Sequence, residues 1–247
     1  MKLSIVTATY NNADSIAATI ASVRDARGPE REHWVIDNAS TDGTLEQVDR
    51  CASPYVRVVS EPDRGIYHAF NKGLARATGD VVAFLSAGDR YLPGALERVA
   101  DALAQDPQPA VVHGNIEVAG PRGPRVVRPR AGFLSFGGAR LLHPATFMRR
   151  CVFDAVGPFD ERYAICGDLD LFLRAQRRFA FQYLDAALTH FALGGVSTRR
   201  RFRATAEVLA ILRRHGTGLG TLGAVALAET ARNLAGTALG PVRRLRR

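Results

Sequence analysis

Apolar and polar positions follow two periods over the first hundred residues. "LSIVTA" and "HWVID" are apolar runs of strand length. Between them Ile16, Ile20 and Val23 recur at helical spacing after the capping candidates Asn12 and Asp14. "STDGTLEQVDRCA" opens a second helix with Ser40 or Thr41 as cap, and "YVRVVS" is a third strand. Ile66, Phe70 and Leu74 line one face of a helix, "DVVAFL" is the fourth strand, and Leu96, Val99 and Leu103 mark the helix after Pro93. Repetition of strand, helix and strand predicts an α/β fold, with a mostly parallel sheet flanked by helices on both faces. Further on, "AVVHGNIEVAGPRGPRVVRP" reads as two strands around a Gly/Pro turn, "ATFMRR" as a strand, "DLDLFLRAQRR" as a helix and "FAFQYL" as a strand. From Thr198 only a helical pattern remains, with breaks at Gly216, Gly218, Gly220 and Gly223. The expected organisation is therefore one domain over 1–197 and a helical extension over 198–247.

At 247 residues the chain can bury one sizeable core, and its 47% hydrophobic and 23% charged residues are those of a soluble globular protein. The charge is uneven. Residues 1–198 hold 22 basic and 22 acidic side chains, whereas 199–247 hold 11 Arg against Glu207 and Glu229. All of the +9 excess therefore sits in the last fifth, so an anionic partner belongs to the extension and not to the body. Cys51, Cys151 and Cys166 form no C-x-x-C pair, which fits reduced thiols in a cytoplasmic protein and places them in the core. "KLSIVTATY" reads as a strand and not as a leader, and the longest apolar stretch is broken by Glu229, Arg232 and Asn233.

Ligands of parallel α/β sheets sit beyond the carboxyl ends of the strands, which singles out Thr7–Asn12, Asp37–Ser40 and Ser86–Asp89. Asp37 leaves its strand into "NASTDGT", where it either accepts a hydrogen bond from a base or sugar or shapes a capped turn. In "SEPDRGIYHAFNKGLARATGD", Arg64 and Lys72 either face phosphates or form the solvated basic face of a helix. Asp168 and Asp170 stand two apart at a helix start and do not share a face, so one points to a site and the other is a first-turn acid. His143, before Pro144, either touches an acceptor or is structural, the commoner case, and Trp34 and Tyr67 either line a pocket or, more often beside strands, pack.

In order, "SIVTATYNNADSI", "VIDNASTDGT", "SEPDRGIYHAFNKGLARATGDVVAFLSAGD", "HPATFMRR" and "GPFDERYAICGDLDLFLR" resemble a family 2 glycosyltransferase of GT-A fold, nearest the bacterial polysaccharide-building, colanic-acid-type branch. The resemblance covers about residues 1–197. It implies that Thr7 and Asp37 contact the nucleotide base and that Arg64 lies near the diphosphate; Lys72 and Ser86 are further donor-site candidates. It further implies that Asp89 binds a divalent metal, Mn²⁺ or Mg²⁺, with His190 as a late metal or acceptor-loop residue, and that Asp168 is the general base. Ser86 and Gly88 stand where the family's metal segment carries acids, and Gly167 where a Glu precedes the base.

One carboxylate can hold such an ion when diphosphate oxygens and water complete its shell. The expected activity is inverting transfer of a sugar from a nucleotide-diphospho-sugar to a hydroxyl of a saccharide or lipid-linked acceptor. The alternative is a nucleotide-sugar-binding protein with little or no transferase activity. Six Arg and His215 surround Phe202, Val208, Leu209, Ile211 and Leu212 in the extension, the pattern of an amphipathic helix on an anionic membrane surface. The expected place is therefore cytoplasmic, peripheral on the inner face of the plasma membrane. No nucleic-acid module is present in the body, so no nucleic-acid partner is expected.

Overall fold

The computed structural model describes residues 1–120, 123–134, 138–193 and 200–238. The chain divides into two compact units, Met1–Leu193 and Gly194–Arg247. The boundary expected between 197 and 198 falls within 194–199, outside the described residues.

The first half of the larger unit runs β1 (Lys2–Thr9), α1 (Ile16–Arg24), β2 (Glu30–Asp37), α2 (Thr44–Arg50), β3 (Val56–Ser60), α3 (Ile66–Arg76) and β4 (Val81–Ser86). These four strands are parallel in the order β3-β2-β1-β4. The chain steps outward from β1 twice, then crosses back through α3 to β4. Its direction of winding therefore reverses between β1 and β4, the position at which parallel α/β sheets open a crevice at their strand ends.

The second half adds β5 (Arg90–Tyr91), α4 (Ala95–Gln105), β6 (Pro109–Val118), β7 (Arg125–Val127), β8 (Arg130–Leu134), β9 (Gly138–Arg140), a 3₁₀ turn (His143–Ala145), β10 (Thr146–Arg149), α5 (Arg150–Val156), α6 (Gly167–Gln176) and β11 (Ala180–Phe191). Strand β10 is antiparallel between β4 and β6, β11 runs parallel to β6, and β5 closes the sheet antiparallel to β11. β7 pairs with β6, while β8 and β9 form a separate antiparallel pair. The short β5, β8, β9 and α5 were not expected from the pattern.

Strand alternation places apolar side chains on both faces of the sheet. Val6 and Ala8 of β1 join Phe84, Tyr67, Phe70, Val152, Leu171 and Phe172 on the face covered by α3, α5 and α6. Leu3 and Ile5 join Val23, Ala83, Leu85, Leu96 and Val99 on the face covered by α1 and α4. Two of the buried polar groups in this sheet are ionisable neighbours on β2. Burial alone would raise the Glu32 carboxyl, but hydrogen bonds from the Thr78 N–H, Ser4 Oγ and Thr78 Oγ1, with the charge of Lys2, carry it down to about 2. His33 is fully buried, and burial pushes its imidazole down to about 3.

Both expected helix caps are replaced. α1 starts after Ser15, with the Asn12 carbonyl accepting the N–H groups of Ser15 and Ile16. α2 starts after Gly43 at φ 87°, because Ser40 is used by Asp37 and Asp42 Oδ1 takes the Thr44 N–H instead. The cysteines are not core residues: Cys151 is exposed, and Cys51 and Cys166 are half-buried.

The smaller unit contains α7 (Arg201–Arg214) and α8 (Leu219–Ala238). Gly216 (φ 87°) and Gly218 separate the two helices, whereas Gly220 and Gly223 lie inside α8. No helix among the described residues is long and apolar enough to cross a membrane.

Candidate active site

Parallel register brings the strand ends level: Thr9 pairs with Asp37, Asp37 with Ser60, and Ala8 with Ser86. The Asp37 side chain is buried, and its oxygens accept the Ser40 N–H at 2.9 Å, the Ser60 hydroxyl at 2.7 Å and the Ser40 hydroxyl. Its carboxylate thus ties the loops after β2 and β3 together. Asn38 Oδ1 continues that tie by accepting the Asp63 N–H at 2.6 Å, and Asp63 in turn accepts the Gly65 N–H at 2.8 Å. The loop after β1 is fastened to the same turn. Asn11 N–H donates to Ser40 Oγ, Thr41 N–H to Asn11 Oδ1, and Ala13 N–H to Asp42. Asn11 and Ala39 hold positive φ within this network, a conformation its hydrogen bonds compensate.

Thr7 does not reach this rim. It is fully buried, and its hydroxyl is bonded to His33 Nε2 at 2.8 Å. Thr9, on the same strand face two residues later, ends the strand beside Asp37 with a buried hydroxyl that has no hydrogen-bond partner. Its signal in the sequence is its place as the last residue of the apolar run.

Arg64 is exposed and pairs with Glu161 Oε2 at 2.7 Å, while Asn71 Nδ2 donates to the other Glu161 oxygen. Lys72 is turned away from any open ligand position. Its side chain is only 11% exposed, with Nζ donating to the Pro62 carbonyl at 2.8 Å and paired with Glu61 at 3.2 Å. Lys72 therefore fastens the loop after β3 instead of facing a phosphate.

Beyond β4 the chain makes a tight turn in which Asp89 N–H returns to the Ser86 carbonyl. Gly88 holds φ 101°, and a Cβ there would meet the Ala192 Cβ at 3.2 Å. A longer acid at 88 is therefore strained on two counts. Asp89 is 3% exposed, its Oδ1 accepts the Ala192 N–H at 2.8 Å, and its carbonyl accepts the Thr19 hydroxyl. Burial pushes the Asp89 carboxyl up to about 7, while the Ala192 N–H pulls the other way. His190 lies on β11 beside β5, with Nδ1 3.0 Å from Glu117 Oε1. Among the described residues no three His, Cys, Asp or Glu side chains converge as a metal cluster. A buried carboxylate without a compensating base is nonetheless a group that a divalent cation stabilises, so Asp89 fits such an ion as a single protein ligand.

The two acids of α6 separate by function. Asp170 is buried and paired with Arg174 at 2.8 Å, one turn on, and Arg174 also donates to the Pro158 carbonyl. Asp168 is half-buried, and its Oδ1 accepts the Leu169 N–H at 2.9 Å and the Tyr67 hydroxyl at 3.2 Å. His143 relates this acid to β4: its ring stacks on Phe84 at 5.8 Å, and its imidazole feels the Asp168 charge. Burial holds His143 low despite that charge, which keeps the ring neutral near neutral pH. Gly167, before Asp168, is buried under Tyr67, and a Cβ there would come within 2.9 Å of the ring. That contact is the physical reason no larger residue stands at 167.

Residues 4–164 match the family described as glycosyl transferase family 2. The chain is 30% identical over 221 residues to an uncharacterized glycosyltransferase of Mycobacterium tuberculosis, covering 87% of this chain and 82% of the relative. It is also 30% identical over 185 residues to a PGL/p-HBAD biosynthesis glycosyltransferase of Mycobacterium bovis, covering 69% and 68%. The fold is similar to Staphylococcus aureus TarS 1-349 in complex with UDP-GlcNAc, with TM-score 0.71, 20% identity and coverage of 87% and 65%. It is likewise similar to the mannosyltransferase PcManGT from Pyrobaculum calidifontis in complex with GDP-Man and Mn²⁺, with TM-score 0.65, 19% identity and coverage of 97% and 75%. With its GT-A sheet and these relatives, the chain belongs to glycosyltransferase family 2 and is a glycosyltransferase.

Proposed function

We propose that this enzyme is an inverting transferase that moves a sugar from a nucleotide-diphospho-sugar to a hydroxyl of a saccharide or lipid-linked saccharide. The observation that carries the reading is Asp168: a half-buried carboxylate at a helix start, one oxygen held by Tyr67 and Leu169 N–H and the other without such a bond. The donor nucleotide lies over the ends of β1, β2 and β4, against Thr9, the Asp37 turn and Ser86, with Arg64 toward the diphosphate. The acceptor hydroxyl gives its proton to Asp168 Oδ2 as its oxygen bonds to the anomeric carbon. The bond from that carbon to the diphosphate oxygen breaks, its electron pair leaves with the nucleoside diphosphate, and the anomeric centre inverts. Asp89, with donor phosphate oxygens, would hold Mn²⁺ or Mg²⁺, which supplies neutralisation of charge on the leaving group. His190 is held by Glu117 and borders the segment that follows β11.

The test uses UDP- and GDP-sugars with and without Mn²⁺. A bound donor raises the melting temperature because only the folded state binds it. Asp168→Asn keeps that shift and lowers donor hydrolysis or transfer by at least about a hundred-fold, the scale of a general base. Asp89→Asn removes the part of the shift that depends on Mn²⁺. The donor assignment is lost if no nucleotide diphosphate moves the melting point under any condition. One observation favours a second reading, a nucleotide-sugar-binding protein with little or no transfer: the metal segment has a single carboxylate. That reading holds if donors shift the melting point while Asp168→Asn changes no turnover.

The extension is the membrane-facing part of the proposal. Leu219 and Leu227 on α8 are 83% and 75% exposed, Phe202 on α7 is 60% exposed, and Arg200, Arg203, Arg213 and Arg214 are exposed near them in sequence. Apolar side chains beside arginines fit a lipid–water interface with anionic headgroups. This supports a peripheral place on the inner face of the plasma membrane, where a lipid-linked acceptor is presented.

A further inference from the structure

We propose that Tyr67 is the positioning residue of the transfer step: it fixes Asp168 Oδ1 so that Oδ2 alone is presented to the acceptor hydroxyl. This rests on the reading of Asp168 as the base. Tyr67 stands in the first turn of α3 and is 5% exposed. Its ring is clamped between Phe159, stacked at 5.2 Å, and Phe70, edge-on at 6.2 Å. The hydroxyl then faces two acceptors. It lies 2.7 Å from the Ile165 carbonyl and 3.2 Å from Asp168 Oδ1, so its proton bridges the chain entering α6 and the carboxylate itself.

A carboxylate on a short side chain rotates about its last torsion, which is broad and roughly two-fold. Without an anchor, its two oxygens exchange places and its lone pairs sweep the site. The Leu169 N–H and the Tyr67 hydroxyl both bind Oδ1, and together they stop that rotation. Gly167 is the second half of the arrangement. The Tyr67 ring carbons lie 2.9 Å from where a Cβ at 167 would be, so the ring reaches Asp168 only because that position has no side chain. The titratable groups that act on the Tyr67 hydroxyl are Asp168 and Cys166, and the neutral His143 ring also feels the Asp168 charge. None of them is a cation that would fix the carboxylate in the tyrosine's place.

The experiment compares wild type, Tyr67→Phe, Asp168→Asn and the double variant in Mn²⁺-dependent hydrolysis of the UDP- or GDP-sugar that best raises the melting point. Tyr67→Phe keeps the ring and its packing, so donor KM and the donor-induced melting shift stay at wild-type values while kcat falls about ten-fold or more. In the Asp168→Asn background the same change has no further effect on kcat, because there is no base left to position. A purely structural tyrosine gives the opposite pattern: a lowered melting point, altered KM, and a loss that multiplies with Asp168→Asn.

A second measurement needs no turnover. Fluorotyrosine incorporation brings the phenols into an accessible pH range, and the ¹⁹F resonance of residue 67 is the one lost in Tyr67→Phe. Burial and the Asp168 charge both hold this phenol high, so Asp168→Asn shifts its titration midpoint downward. An unchanged midpoint, or a Tyr67→Phe enzyme that turns over at the wild-type kcat, overturns the proposal. Absence of any donor binding sinks the donor reading instead, and the fluorine titration still decides whether Tyr67 and Asp168 are coupled.

Discussion

His33 and Glu32 are neighbours on β2 whose side chains point to opposite faces, and both make the fold sensitive to acid. The His33 imidazole is held neutral to about pH 3, while in the unfolded chain it protonates near 6.5. Between those values the unfolded state binds the extra proton, so stability is full above 6.5 and declines as pH falls toward 3. Glu32, lowered from 4.5 to about 2, acts in the same sense over a lower window, its contribution being full above 4.5 and lost as pH falls through 2. The expected slope is about 1.4 kcal/mol per pH unit for each group. Over pH 7 to 4.5 the buried Asp89 carboxyl, raised to about 7, acts in the opposite sense, so urea unfolding should show His33→Gln losing less stability, or gaining more, than wild type as pH falls. Identical pH profiles for wild type and His33→Gln across that range would exclude a buried neutral imidazole. The residue scale also shows the limit of reading candidates by type. Asp37, Lys72 and Thr7 are polar candidates for the donor site, yet their side chains are bonded to the protein's own groups. Only the tertiary structure distinguishes a polar group that is already bonded from one without a partner, as the buried Thr9 hydroxyl is.

At the scale of elements, α3 decides the geometry, because it carries Tyr67 and crosses β1 at the reversal of the sheet. Its close approach depends on Gly73, where a Cβ would be 2.2 Å from Val6 Cγ1. Substitution by alanine drives the helix off the strand at an expected cost of about 1–3 kcal/mol. Since the same helix sets Tyr67 against Asp168, Gly73→Ala should lower kcat as well as the melting temperature, measured by hydrolysis and by scanning calorimetry. Retention of wild-type stability would mean that the contact relaxes without cost. The helices themselves were legible in the sequence: Ile16, Ile20 and Val23, and likewise Leu96, Val99 and Leu103, are the buried faces of α1 and α4. Their starts were not. Asn12, Asp14, Ser40 and Thr41 all suit caps by residue type, but Ser40 is taken up by Asp37 and the Asn11 N–H, and the Asn12 amide by the Tyr10 carbonyl.

For the whole molecule, charge and structure divide the chain at about the same place, near residue 194 by contacts and 199 by charge. A neutral catalytic unit followed by a basic helical one predicts binding to vesicles containing phosphatidylserine that weakens as salt rises, since exposed charges are screened beyond about 8 Å at physiological ionic strength. Cosedimentation with anionic and with neutral vesicles measures this. Leu219→Asp together with Leu227→Asp should reduce binding to anionic vesicles at unchanged net tail arginine content, whereas equal binding to neutral vesicles would remove the electrostatic part of the account.

The alternation of periods determined the four parallel strands and their helices that form the first half of this sheet, because each apolar stripe must be buried. It also determined which segments stand at the strand ends, since a buried strand must surrender its chain to polar loops at its carboxyl edge. Which side chain of each segment stays open was settled by tertiary structure, through partners that are distant in sequence. Asp168 acquires its anchor from Tyr67, 101 residues away, and Gly167 owes its lack of a side chain to the same ring. Such contacts carry no period along the chain. They exist only once the helices have docked.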